Sequence, residues 1–155
     1  MAPIVRKAVL PVAGYGTRFL PATKSVPKTM FPVLDKPVIQ YVLEEAAASG
    51  ITSVAIVTNP ADRTIAAHLM ENPSLTSWLE RTGRVDLLDG LRGLCSALDV
   101  TFIPQEGPYG SGTPILNAKD FVGDEPFAVL LGDVVFDGPN PATKQLVDVY
   151  NATGL

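Results

Sequence analysis

The chain has 155 residues, 46% of them apolar, 18% charged and 7% aromatic, the composition of a globular protein able to enclose one core. Twelve basic residues against sixteen acidic ones leave a net charge of −4, which argues against a general nucleic-acid or anionic-membrane binder. The lone cysteine, Cys95, excludes an internal disulfide framework and fits a reducing cytoplasm. Met1-Ala2-Pro3-Ile4 does not open a signal peptide, and no apolar run nears the ~20 residues of a membrane helix.

Residues 8–13 form an apolar run that ends in a glycine-rich turn and reads as the first strand. Pro11 lacks a donor for a sheet ladder, so pairing is expected to be interrupted there. Residues 37–49 read as a helix, with Val38, Tyr41, Val42 and Ala46 at helical spacing, Pro37 in the first turn and Gly50 as the stop. Residues 54–57 are a second strand, closed by Thr58-Asn59-Pro60. Helices are then expected over 62–70, 74–82 and 84–98, the last weakened by Gly90 and Gly93. A third strand over 100–103 precedes a helix over 113–120. A fourth strand over 127–131, ended by Gly132-Asp133, precedes a helix over 143–152.

Short aliphatic runs without strict alternation suit strands buried on both faces. Strands alternating with helices imply β-α-β units, hence an α/β fold with a mostly parallel sheet flanked by helices. Ligands of such sheets sit beyond the carboxyl ends of the strands. That rule directs attention to residues 14–18, Thr58-Asn59, residues 105–113 and Asp133.

The first of these loops reads Gly14-Tyr15-Gly16-Thr17-Arg18, then Pro21, Thr23-Lys24 and Pro27-Lys28. Two glycines let backbone N–H groups approach a phosphate, and Arg18 and Lys28 add positive charge. A plain turn with two surface cations explains the glycines alone equally well; the added Thr-Arg, Thr-Lys and Pro-Lys favour the phosphate cradle. The spacing matches neither G-x-x-x-x-G-K-[ST] nor G-x-G-x-x-G, because Phe19 stands where a third glycine would be. A P-loop NTPase and an NAD-binding module are therefore disfavoured. Asp35 also lies before the first helix rather than on a second strand, where a ribose-binding acid belongs.

The stretch from Pro11 to Lys24, with Pro27-Lys28 and Asp35-Lys36-Pro37, closely resembles the bacterial UTP–glucose-1-phosphate uridylyltransferases, and more broadly the sugar-phosphate nucleotidyltransferase superfamily. The resemblance implies a Rossmann-like, glycosyltransferase-A-like nucleotidyltransferase fold. It implies that Ala13, Gly14, Gly16 and Thr17 hold the nucleotide, that Arg18 meets its phosphates, and that Lys28 is the catalytic cation.

Gln105 offers a donor and an acceptor that suit the imide edge of uracil or thymine, although a solvated loop Gln would look the same. Asp133, at the end of a buried strand, could hold Mg²⁺ against phosphates or make turn hydrogen bonds. The resemblance makes Gln105 and Gly110 base-contacting residues and Asp133 a magnesium ligand beside the sugar phosphate. Two positions depart from the uridylyltransferase pattern. Gly132 stands where Pro is usual, as in thymidylyl and adenylyl relatives, and Thr29 stands where Glu is usual. His68 reads as a surface or packing residue, Trp78 with Leu75 and Leu79 as helix packing, and Asp62-Arg63 and Glu44-Glu45 as solvated helix faces.

The implied reaction joins UTP to glucose 1-phosphate, giving UDP-glucose and pyrophosphate with Mg²⁺. The resemblance covers only the first half of a family domain, so residues 1–155 are expected to be its nucleotide-binding half, weak or inactive alone. An unprotected sheet edge would favour self-association. Thymidylyl or other sugar-1-phosphate nucleotidyl transfer, and a non-catalytic nucleotide-binding relative, stand as alternatives.

Overall fold

Residues 4–154 are described by the computed structural model; the reading of Met1–Pro3 lies outside them. The chain runs through β1 (Lys7–Pro11), then single 3₁₀ turns at Thr17–Phe19, Ala22–Lys24 and Lys28–Met30. A small hairpin of β2 (Pro32–Val33) and β3 (Lys36–Pro37) leads into α1 (Val38–Ala48) and β4 (Ser53–Thr58). Next come α2 (Thr64–Leu69), α3 (Pro73–Thr82), a 3₁₀ turn at Val85–Leu88, α4 (Asp89–Ala97) and β5 (Asp99–Pro104). The chain closes with α5 (Gly112–Asn117), α6 (Lys119–Val122), β6 (Phe127–Val129) and α7 (Ala142–Thr153). No helix among the described residues is long and apolar enough to cross a membrane.

The main sheet has the order β5-β4-β1-β6 and every pairing in it is parallel. Side chains alternate between its faces. Ala8, Leu10, Val54 and Ile56 enter a large core with Ile39, Val42, Leu43 and Ala46 of α1, Leu94 of α4 and Val147 of α7. Val9, Ala55 and Val57 turn to the other face, where Ala118 and Val122 cover them. The expected burial on both faces holds for β1 and β4. It fails for β5 and β6, which have one neighbour each and leave Phe102 37% and Val129 44% exposed.

Pro11 shapes the sheet on one side only. Its register partner in β4 is Val57, and the ladder continues to Val12, whose N–H donates to the Val57 carbonyl at 2.9 Å. Toward β6 the last bond is Leu130 N–H to Val9 O, 3.1 Å. Backbone groups alternate direction along a parallel strand, so the donor that Pro11 lacks would have faced β6. The β6 strand therefore ends at Val129 rather than 131, and the chain diverges.

Three helices differ from expectation for local reasons. Asp62 stays outside α2 in the turn before it, its Oδ1 accepting from Thr64 N–H (2.8 Å) and Thr64 Oγ1 (2.7 Å). The span expected to be one helix over 84–98 opens instead with the 3₁₀ turn, and α4 follows. The span 113–120 breaks at Ala118 (φ −86°, ψ 5°). There Asn117 turns its amide to Glu106, accepting from its N–H at 3.0 Å and donating to its carbonyl at 3.1 Å.

Glu44 and Glu45 are not simply a solvated face. Glu44 accepts from Lys36 Nζ and from Gln40 Nε2 (2.9 Å). Glu45 accepts from Thr143 N–H (2.9 Å) and Oγ1 (2.7 Å), closing the N-terminus of α7 onto α1. Gln40 continues the chain to His68, its Oε1 lying 3.1 Å from His68 Nε2. Leu79 is buried as expected for helix packing, but Trp78 is 45% exposed and lies under the Arg84 guanidinium.

Gly132 is constrained by packing: a Cβ there would lie 2.3 Å from Val12 Cγ1. Gly132→Ala is expected to lower unfolding free energy by about 1–3 kcal/mol, as overpacking does. Combining it with Val12→Ala should give less than the sum of the two losses in urea titration.

Burial lowers the pKa of His68 from its ordinary 6.5, so the neutral ring is favoured in the folded state. That contribution is present above pH 6.5, the unfolded value, and is lost as pH falls through the depressed native value. Between pH 7.5 and 5 the urea midpoint of the native chain should fall more steeply than that of His68→Gln.

Candidate functional site

The strand order reverses at β1: β4 and β5 lie on one side and β6 on the other. In open α/β sheets the crevice at such a switch point, beyond the carboxyl ends of the strands, is where ligands bind. The segments leaving β1, β4, β5 and β6 converge at this rim, and each carries one of the loops singled out from sequence.

The turn after β1 depends on Gly16. Its φ is +62°, a region that strains other residues. A Cβ there would also lie 3.0 Å from Thr23 Cγ2 and 3.3 Å from Lys28 Cβ. Thr23 Oγ1 donates to the Gly16 carbonyl at 2.9 Å and pins the turn from below. Lys28 passes against Gly16 and its Nζ reaches Asp133 Oδ2 at 2.6 Å. Gly16, Lys28 and Asp133 thus form one continuous contact across the switch point.

On the other side of the turn a hollow of about 190 Å³ is lined by Ala13, Tyr15, Asn59, Gln105, Gly107 and Tyr109, among others. Gln105 is placed there by the sheet itself, its N–H donating to Thr58 O at 2.8 Å and extending the β4–β5 ladder. A larger cavity of about 470 Å³ adjoins it, sharing Ala13, Tyr15 and Asn59, and reaches Gly14, Lys24, Asp62 and Arg63. Asp62 and Arg63 therefore border the rim, where a solvated helix face was expected.

Ala13, Gly14 and Gln105 border these hollows, and Gly16, Lys28 and Asp133 meet beside them. Thr17 and Arg18 lie exposed on the 3₁₀ turn and line neither hollow, and Gly110 is exposed with open space around it. Asn59, Tyr15 and Tyr109 are rim residues that sequence reasoning left without a role. For Asn59 the signal was its place directly after a buried strand.

The two departures from the uridylyltransferase pattern are neighbours. Thr29 is 1% exposed, and its Cγ2 lies 3.4 Å from where a Gly132 Cβ would be. Its Oγ1 is buried without a hydrogen-bond partner among the described residues. A short residue at 29 and the smallest residue at 132 fill the same space under Val12.

This is an α/β protein with a glycine turn, a cation paired to an acid and a small hollow gathered at the switch point of its sheet. Residues 7–154 match the nucleotidyl transferase family, and the chain belongs to that family. It is 46% identical over 150 residues to UTP–glucose-1-phosphate uridylyltransferase 2 of Staphylococcus saprophyticus, covering 97% of this chain and 52% of that protein. The Bacillus subtilis UTP–glucose-1-phosphate uridylyltransferase is 46% identical over 149 residues, with 96% and 51% covered. Among solved structures, the UTP-bound UGPase from Acinetobacter baumannii superposes with a TM-score of 0.91 at 40% identity, covering 97% of this chain and 54% of that one. A UDP-glucose pyrophosphorylase complexed with UDP-glucose gives 0.76 at 34% identity, covering 96% and 54%. The chain spans about half the length of the relatives it matches.

The Lys28–Asp133 pair is partly open to solvent, with side chains 27% and 41% exposed. Such a pair contributes only about 0.2–1 kcal/mol to stability. Asp133→Asn should therefore shift the unfolding free energy by no more than about 1 kcal/mol in urea titration.

Proposed function

We propose that this chain is the nucleotide-binding half of an enzyme that transfers the uridylyl group of UTP to glucose 1-phosphate. One observation carries the reading: the Gly16 turn, the Lys28–Asp133 pair and the Gln105 hollow meet at the sheet's switch point. The names of its relatives, and the UTP and UDP-glucose in neighbouring structures, support the choice of ligands.

In the reaction a phosphate oxygen of the sugar 1-phosphate attacks the α-phosphorus of UTP. The bond from that phosphorus to the bridging oxygen breaks, and pyrophosphate leaves with the electron pair. No covalent enzyme intermediate is required; the protein holds two polyanions in line and offsets developing charge. The Gln105 amide pairs with the imide edge of uracil within the hollow bordered by Ala13, with Gly110 on the same loop. Gly14, Gly16 and Thr17 present the turn to the nucleotide. Arg18 swings from its exposed turn onto phosphate oxygens, and Lys28 neutralises charge at the reacting phosphates.

Asp133 suits a magnesium site. Mg²⁺ is commonly held by one or two carboxylates together with substrate phosphates, and Asp133 offers a partly exposed carboxylate beside the cation that would meet those phosphates. When bound, the metal supplies charge neutralisation on the phosphate oxygens. Lys28, now paired with Asp133, would turn to phosphate when substrate enters, and the freed Asp133 carboxylate would be the residue to hold the metal.

Thymidylyl transfer is the second reading, because Gly132 with Thr29 departs from the uridylyltransferase pattern and Gln105 would read thymine equally well. Calorimetry of the chain with UTP, dTTP, ATP and NAD, each with Mg²⁺, tests both. UTP binding in preference to ATP and NAD is the expected result; tighter dTTP binding would move the assignment to thymidylyl transfer, and binding of NAD alone would refute both.

Lys28→Ala should weaken UTP binding by about tenfold or more, the worth of a charge-assisted hydrogen bond. Unchanged affinity would remove Lys28 from the site.

A further inference from the structure

Tyr109 reaches across from the Gln105 loop to the glycine turn. Its hydroxyl accepts a hydrogen bond from the Tyr15 N–H at 3.0 Å. The two tyrosine rings stack with centroids 5.9 Å apart and planes 5° apart. A Cβ on Gly14 would lie 3.5 Å from the same hydroxyl, an ordinary van der Waals contact, so the phenol rests directly against the start of the turn. Tyr15 borders both hollows of the rim.

This arrangement is firmly anchored at its base and loosely held at its tip. The loop is tied by Asn117 to Glu106, and Thr113 Oγ1 donates to the Pro108 carbonyl at 2.7 Å. Beyond those ties the tyrosine pair is open to water, Tyr109 being 69% and Tyr15 65% exposed. Tyr109 can therefore withdraw by side-chain rotation without moving the loop's anchors. A phenol oxygen is a neutral acceptor, and an N–H group bonds an oxyanion about twice as strongly.

We propose that the Tyr109 hydroxyl is a stand-in acceptor at the Tyr15 amide, which an oxygen of the incoming nucleotide displaces. The proposal rests on the nucleotide-binding reading of the site. It makes the glycine turn a satisfied structure at rest, with the amide already directed at an acceptor. It also couples the two loops of the rim, since the nucleotide must release one to engage the other.

Tyr109→Phe keeps the ring and removes only the acceptor. In ¹⁵N NMR spectra without ligand, the Tyr15 amide resonance of the variant should differ from that of the native chain. At saturating UTP with Mg²⁺ the two resonances should coincide, because the same nucleotide oxygen then occupies both. Calorimetry should show the variant binding UTP at least about twofold more tightly, as loss of a competing hydrogen bond requires. Tyr15 resonances that still differ at saturation, or equal or weaker affinity in the variant, would overturn the proposal while leaving UTP binding by the native chain intact. Failure of both proteins to bind UTP would overturn the reading of the site and the role of Tyr109 with it.

Discussion

The donor missing from Pro11 decides the geometry of the rim. The sheet needs β1 at its centre, flanked by β4 and β6. As far as Val9 both ladders run; after that only the β4 side continues, to Val12. The chain leaving β6 is thereby freed to turn over the end of β1. It does so with Gly132 pressed against Val12, in a space too small for a Cβ. That close approach sets Asp133 opposite Lys28. A proline that looked misplaced in a central strand is what opens the crevice.

The rim at rest is chemically closed. Lys28 is satisfied by Asp133, the Tyr15 amide by Tyr109, and the Gly16 carbonyl by Thr23. None of these partnerships is deeply buried, so each is open to exchange. Internal pairing balances the Lys28 charge and satisfies the Tyr15 donor without demanding that a ligand be present. Side chains away from the rim do the opposite. Glu45 on the α7 N-terminus, and Lys36, Glu44, Gln40 and His68 in series, bind elements to each other and have no reason to open.

The elements of the sheet were legible because buried parallel strands are written as short aliphatic runs, and glycine and proline mark their ends. The Gly14–Arg18 loop and Lys28 were singled out from the spacing of glycines and cations along the chain, and the structure brings Gly16 and Lys28 into contact. Tyr109 was not, since its partner is a backbone amide 94 positions away and nothing in either local sequence records that bond. Glu45 was misread for the same reason: a glutamate on a helix looks solvated until the helix that it caps, 98 positions on, is in place. The edge strands were misread because an aliphatic run cannot say how many neighbours its strand will have. Their exposure follows from sheet order, which is a property of the whole chain.

One consequence of the sheet order concerns growth. The groups of the rim lie at the ends of the strands, whereas the outer flank of Phe127–Val129, unpaired among the described residues, runs along the side of β6. Any polypeptide docking on that flank would lengthen the sheet laterally and leave the Gly16 turn, the Gln105 hollow and their spacing untouched. The architecture thus separates the crevice at the switch point from the side along which the sheet can be enlarged.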